Sequence, residues 1–195
     1  MIRLFSTLGL VLTTVLLGCP AYADTLDVGS AGSTYTSNSA TRGYWYTAPV
    51  DHTITHLRVP SVGTGPQNIQ VLSFTGNTPP PTFSASTTAH TTLFYTNSGT
   101  SANDWISVNI PVTAGMVIGI LGARGTSTLS NAYGNGNPYS STLGGAPVSL
   151  QRLVYQANLH NAQAGALSTE SGGSYSRVEM QYLSLIHIPS PRDRG

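Results

Sequence analysis

Apolar residues along the chain fall in short runs separated by turn-forming residues, and their spacing follows the two-residue period of β-strands. In the run 174–182, three apolar residues alternate with three polar ones: Val178, Met180 and Tyr182 against Arg177, Glu179 and Gln181. This pattern predicts a strand with one buried face and one wet face. The run 116–121 is apolar at both parities except for Gly119, which predicts a central strand covered on both sides.

Repetition of such runs predicts an all-β domain. Stretches rich in Gly, Pro, Asn and Ser separate them, and no window has a helical period. The segment 157–167 comes closest to one, and we expect it to form at most one short turn of helix. We predict a two-sheet, jelly-roll-like β-sandwich in residues 24–182. The predicted strands are 43–48, 53–59, 68–74, 91–96, 104–110, 116–121, 148–155 and 174–182.

Residues 1–23 have the order of a secretory signal peptide. Arg3 precedes the apolar run 8–17, and small residues surround the cleavage site that we predict after Ala23. The alternative is a bacterial lipoprotein site at Cys19, which is the one Cys of the chain. Both readings place the mature protein outside the cytoplasm, as a secreted, periplasmic or cell-surface protein. Cleavage after Ala23 would leave no Cys and therefore no disulfide.

The end of the chain, residues 183–195, differs in amino-acid composition from the rest. Pro, Arg and Asp crowd into "LSLIHIPSPRDRG" although the chain elsewhere uses charge sparingly. The stretch resembles the translation of a transposase adapter used in preparing DNA libraries. We therefore expect residues 183–195 to be a non-native tail. The alternative is a genuine final strand with a Pro-rich end.

Charge is scarce in the predicted domain. Residues 24–182 contain five Arg, six Asp or Glu and no Lys, so the net charge is close to −1 with neutral His. Phosphate backbones are bound by clusters of Lys and Arg, and no basic patch of that kind is present. The composition therefore argues against a nucleic-acid partner. We expect no membrane span after the signal peptide is removed.

Three blocks, "RGYWYTAP", "ITHLRVP" and "IPVTAGMVIGILGARG", resemble those of secreted bacterial proteins of unknown function that carry a β-sandwich domain. The resemblance implies a fold and a compartment outside the cytoplasm. It implies no activity, because no catalytic residues of that group can be carried over to this chain.

Catalytic chemistry is not indicated by any motif. There is no G-x-S-x-G elbow, and a pair of facing carboxylates is not signposted among the few acids. Glu179 is interpreted as a solvated charge or the partner of an Arg, and Asp104 as a turn residue. His52 and His56 stand on one side of a predicted strand and are interpreted as a solvent-exposed pair rather than metal ligands. No cofactor is predicted, and a Ca²⁺ ion bridging loops through Asp and carbonyl oxygens stays open.

The predicted loop 130–145 is the strongest candidate for a binding site. Its amides and phenol rings could bond sugar hydroxyls and stack on sugar rings. The alternative is an ordinary loop that turns on Asn and Gly and is pinned by Tyr. Trp45 and Trp105 are interpreted as packed at a sheet edge rather than displayed. The candidate ligand-binding residues are Asn131, Tyr133, Asn135, Asn137 and Tyr139.

We therefore expect a secreted, non-catalytic β-sandwich that binds or adheres, with glycan or a cell-surface component as the candidate partner. Two alternatives stay open: a structural surface or matrix component without a ligand site, and an enzyme whose site no motif marks. Substitution of Tyr133 or Tyr139 by Ala is expected to weaken glycan binding while lowering stability little.

Overall fold

The chain folds as a β-sandwich of two antiparallel sheets, which confirms the predicted two-sheet, all-β class. The computed structural model describes residues 23–60, 62–99 and 104–184. The signal peptide up to Tyr22, its Cys19 alternative and the tail from Leu185 onward lie outside these residues. Among the described residues, no helix has the length and apolar character needed to cross a membrane.

Thirteen strands and one 3₁₀ turn, Thr75–Asn77, make up the described regular structure. The smaller sheet has the order β1-β13-β4-β7, and the larger has β10-β11-β3-β8-β5-β6, with β12 on β11, β9 on β8 and β2 on β9. The strands are β1 (Asp24–Thr25), β2 (Ala31–Ser37), β3 (Thr41–Thr47), β4 (His52–Arg58), β5 (Gln67–Phe74), β6 (His90–Gly99), β7 (Ile106–Val112), β8 (Val117–Gly125), β9 (Leu129–Gly134), β10 (Tyr139–Leu143), β11 (Ala146–Tyr155), β12 (Leu167–Thr169) and β13 (Glu179–Ser184).

The main core lies between the two sheets and is built from alternate positions of each strand. On the smaller sheet, Val178, Met180 and Tyr182 are buried, which confirms the alternation predicted for 174–182. On the larger sheet, Tyr44 and Tyr46 of β3 point into the same core. Full burial of a large apolar side chain contributes about 1.5–3 kcal/mol, so this layer supplies the main driving force for folding.

A second core covers the outer face of the larger sheet. Every residue of β8 is buried, which confirms that this strand is central and covered on both sides. The cover is the segment 157–167, whose Leu159, Ala164 and Leu167 are buried against that face. The outer face is thus closed by irregular chain rather than by a third sheet.

The segment 157–167 forms no helix, and it contains one hydrogen-bonded turn, in which Asn161 N donates to Asn158 O (3.2 Å). Other backbone groups of the segment bond to side chains of the sheet below. The Tyr95 hydroxyl donates to Leu159 O (2.8 Å), and Ala164 N donates to Gln70 Oε1 (2.7 Å). These bonds satisfy buried backbone groups that a helix would otherwise have paired.

The prediction of a loop over 130–145 is wrong, because most of this segment forms β9 and β10, which residues 135–138 join. Its Ser, Asn and Gly residues have little apolar alternation, so no strand was predicted there. Order comes from neighbouring strands: β9 pairs with both β2 and β8, and β10 pairs with β11. At the other end, β13 runs to Ser184, two residues past the predicted domain end.

His52 and His56 do not form a solvent-exposed pair. An irregularity in the pairing of β4 with β7 falls between Ile54 and His56, so the two imidazoles differ in surroundings. His56 is half-buried, but His52 is only 3% exposed. The imidazole Nδ1 of His52 donates to Val50 O (3.0 Å), which leaves Nε2 to accept from the hydroxyl of Tyr46 (3.1 Å). His52 is therefore a core residue.

Candidate functional site

Two large aromatic side chains are exposed among the described residues: Tyr35, at 38%, and Phe83, at 52%. Phe83 is held at the surface by a short parallel bridge between Thr82 and β12. Phe83 N donates to Thr169 O (2.9 Å), and Thr169 N donates to Pro81 O (2.8 Å). These bonds hold the backbone at Phe83 against β12, and its ring stays at the surface.

Tyr35 is one half of a stacked pair. In the register of β2 and β9 it lies opposite Asn131, so Tyr133 is its diagonal neighbour on the same face. The two rings are 5.5 Å apart and inclined by 14°. Arg42 Cζ lies 6.0 Å from the Tyr35 ring centre, and Arg152 Cζ lies 5.6 Å from that of Tyr133. Burial raises the pKa of Tyr133, so its phenol is neutral at physiological pH.

Arg152, in β11, is fixed beside this stack by several contacts. Its Nε lies 2.9 Å from Glu170 Oε2, and its Nη1 donates to Ser174 O (2.8 Å). Asn137 joins the two chain segments involved, because its Oδ1 accepts from Arg152 N (3.0 Å) and its Nδ2 donates to Glu170 O (2.8 Å). The guanidinium is therefore held in one position rather than left mobile.

Between Phe83 and Arg152 lies an open depression of about 340 Å³, which we call the Arg152 groove. Its volume is near the lower end of the range for small-ligand sites, about 300–1,000 Å³. Its lining combines an aromatic ring, an Arg–Glu ion pair and a Gly-rich segment. Its lining residues are Thr82, Phe83, Arg152, Glu170, Ser171, Gly172 and Gly173.

Comparison of the chain with protein-family models, curated proteins and solved structures finds no match. The functional argument therefore depends on the geometry of this site.

Of the five predicted site residues, two contribute to the region of the groove. The guanidinium of Arg152 lies over the ring of Tyr133, and the side chain of Asn137 hydrogen-bonds to the backbone of both Arg152 and Glu170. Asn135 is exposed, with its Nδ2 3.3 Å from Ser30 Oγ.

Asn131 and Tyr139 serve the fold instead. Asn131 is fully buried: its Oδ1 accepts from Arg42 N (2.8 Å), and its Nδ2 donates to Tyr35 O and Ala40 O. No atom of its amide is left for a sugar, so its assignment as a ligand residue is wrong. The Tyr139 hydroxyl donates to Asp27 Oδ2 (2.7 Å), which ties the N-terminal segment to β10.

The two Trp residues are not displayed as platforms. Trp45 lies in β3, between β11 and β8, and is 6% exposed, so its predicted place at a sheet edge is wrong. Its Nε1 donates to Thr169 Oγ1 (3.0 Å). Trp105 is half-buried just before the edge strand β7, and Arg58 Cζ lies 4.4 Å from its ring centre. That position agrees with the prediction.

The acidic residues singled out by sequence have structural contacts. Glu179 is paired with an Arg, as one of its two interpretations required: Arg58 Nε donates to Glu179 Oε2 (2.7 Å). Asp104 is exposed, and its carbonyl oxygen accepts from Gln67 Nε2 (2.8 Å). Among the described residues, no group of three His, Cys, Asp or Glu could hold a metal ion.

Four residues of the site were missed by sequence reasoning: Tyr35, Phe83, Arg152 and Glu170. Two of them carried a usable signal. Arg152 is the one charged residue in its strand of a charge-poor chain, and Phe83 is a lone aromatic in a loop of Pro, Ser and Thr. Such placements are more informative than an exposed or buried residue of the expected kind. Tyr35 and Glu170 had no such signal, because only the tertiary structure brings their segments to the groove.

Proposed function

We propose that the chain is a secreted, non-catalytic β-sandwich domain that binds glycan at the Arg152 groove. The observation that carries this proposal is that Phe83, an aromatic ring that is 52% exposed, lines the same groove as the Arg152–Glu170 pair. An exposed ring can stack on the apolar face of a sugar, while a fixed guanidinium and carboxylate bond its hydroxyls. The surrounding strands keep these groups in place without a ligand.

The surface of the domain is compatible with this role. Ser, Thr, Asn and Gly are abundant and Lys is absent, so charged side chains are sparse and the Arg–Glu pair beside an exposed ring is distinctive. Charged and aromatic side chains that lie together on a rigid scaffold indicate a binding site more strongly than scattered apolar groups on the surface do.

A structural role in a surface or matrix, without a ligand site, is the second candidate. Assembly of sandwiches through their edges needs long, regular edge strands. β6, at one edge of the larger sheet, has two irregularities in its pairing with β5, and the edge strand β7 contains Pro111. Both features hinder pairing with another chain, which favours the binding role.

The test is to screen the purified domain against an array of neutral and acidic glycans and then to compare variants. Phe83→Ala should weaken the strongest interaction at least about tenfold, because an exposed ring at the centre of a contact acts as a hot spot. The control is Thr47→Ala, an exposed position at the far end of β3 from Arg42. Absence of any glycan ligand, or equal binding by the Phe83 variant and the wild type, would contradict the proposal.

A further inference from the structure

Two Arg side chains and one carboxylate lie in or beside the Arg152 groove: Arg152 and Glu170 line it, and Arg42 interacts with both. Arg152 is paired with Glu170, whereas the neighbouring Arg42 contacts only neutral oxygens. The Nη1 of Arg42 donates to Thr41 O and Tyr155 O (both 3.1 Å), and its Nη2 donates to Gln156 Oε1 (3.3 Å). Among the described residues, no carboxylate forms an ion pair with Arg42.

This excess charge is poorly solvated. Arg42 is 6% exposed and Arg152 8% exposed, so water screens them weakly. Burial is the main cause that lowers the pKa of Arg42, and repulsion from Arg152 adds to it. A guanidinium nevertheless stays protonated in proteins. Glu170 is the carboxylate that interacts with both guanidinium groups, so the pair of Arg residues keeps an excess of positive charge. Such a charge, when poorly solvated, attracts an anion more strongly than the same charge in open solvent.

Arg152 also offers a donor to a ligand. Its Nε and Nη1 face Glu170 and Ser174, and within the described ranges no hydrogen-bond partner is found for its Nη2. The side chain lines the same groove as Phe83. The backbone approaches it closely at Gly173, where a Cβ atom would clash with Arg152 Nη1. Gly173 has φ +76°, so both its space and its backbone conformation favour glycine.

We infer that the ligand of the Arg152 groove is an acidic glycan whose sugar carboxylate is bound by the guanidinium of Arg152. The carboxylate supplies the negative charge that Glu170 alone does not, and it accepts a hydrogen bond from Nη2. The ring that bears it packs against Phe83. This inference rests on the proposed glycan-binding function and adds the chemical class of the sugar.

The experiment uses matched pairs of polysaccharides: alginate, polygalacturonate and hyaluronan, each with its carboxyl-reduced, neutral form. Affinity is measured by biolayer interferometry on the purified domain. At least one native polymer should bind at least about tenfold more tightly than its reduced form, and the preference should shrink when the salt concentration rises, because salt screens the charge pair. Equal binding of native and reduced forms would overturn the acidic class and leave the glycan site standing. Failure of every native, reduced and neutral glycan to bind would overturn both.

Two glycine variants test the role of Arg152 without removing a buried charge. Gly173→Ala places a methyl group against the guanidinium and should abolish most of the preference for the native polymer. Gly115→Ala is the matched control, because Gly115 also has a positive φ (+86°), a Cβ there meets no atom within 4 Å, and the residue does not line the groove. If Gly173→Ala keeps the full preference while folding as the wild type does, the carboxylate is bound elsewhere and the inference is wrong.

Discussion

Tyrosine is used in two different ways in this molecule. Between the sheets, Tyr44, Tyr46 and Tyr175 are fully buried. The rings of Tyr44 and Tyr175 meet edge to face, 6.1 Å apart and inclined by 87°, and the Tyr44 hydroxyl donates to Val178 O (2.9 Å). Beside the Arg152 groove, Tyr35 and Tyr133 stack nearly parallel instead, and each ring has one guanidinium group over it.

The two groups of Tyr differ in the hydrogen-bond partners of their hydroxyls. Desolvation raises the pKa of Tyr44, and a buried hydroxyl must find a partner inside the protein or cost folding free energy. The partner is supplied by the backbone of the opposite sheet, so Tyr44 links the two layers. For Tyr35 and Tyr133, no hydroxyl partner is found within the described ranges, and solvent can reach the Tyr35 ring. One group therefore specifies the fold, and the other presents a surface.

The largest expected difference between the two groups is in stability. Tyr44→Ala should lower the free energy of unfolding by about 3–5 kcal/mol, because it opens a cavity between the sheets. Tyr133→Ala should cost about 1 kcal/mol, the scale of a stacked aromatic pair, and should weaken glycan binding. Urea unfolding followed by Trp fluorescence measures both. Equal costs would mean that Tyr133 is a core residue, and the division between the two groups would fail.

Removal of the hydroxyl alone gives a smaller and sharper contrast. Tyr44→Phe leaves Val178 O without its donor and should cost about 1 kcal/mol. Tyr133→Phe removes no internal hydrogen bond within the described ranges and should leave stability unchanged. The same urea titrations decide the matter, and a measurable loss in Tyr133→Phe would reveal a hydroxyl partner.

The smallest effect that we predict is a pH dependence of stability that arises from His52, the imidazole bonded to the buried Tyr46. His52, which accepts from Tyr46, is neighboured by Asp51 and Tyr182, and desolvation is the main cause that lowers its pKa. The unfolded chain therefore binds a proton first as the pH falls below about 6.5. Stability from the neutral imidazole is full above that pH and is lost as the pH falls toward the lower pKa of the folded state.

Urea unfolding midpoints measured between about pH 7.5 and pH 4.5 test this prediction, because this range includes the pKa of an unperturbed imidazole. His52→Asn should flatten the decline in stability that begins below about pH 6.5. His56→Asn removes a half-buried imidazole from the same strand and should leave the decline in place. An identical decline in all three proteins would assign it to other groups.

The fold was predictable where the amino-acid pattern is strong. β8 was recognised because both of its faces are apolar, and β13 because Val178, Met180 and Tyr182 alternate with polar residues. β2 and β9 were missed because their Ser, Thr, Asn and Gly residues have little preference for either face. These two strands form by pairing with each other, and β9 also continues the larger sheet through β8.

The candidate site was predictable only in part. Tyr133 and Asn137 were chosen for their chemistry, which does not depend on knowing the fold. Asn131 has the same chemistry and lies on the same face of β9 as Tyr133, but it is fully buried and its amide bonds to the backbone. Side-chain type states what a residue can bond, and its depth in the fold decides whether a ligand can reach it.

The sequence alone specifies the class of the fold, because its short alternating runs predict strands. It did not determine the groove. Phe83, Arg152 and Glu170 come from a loop, a strand and the segment after β12, and they meet because the Thr82–Thr169 bridge and the Asn137 contacts bring those segments together. Local pattern encodes strands because the strand period is local. A site formed by long-range pairing is decided by the tertiary structure.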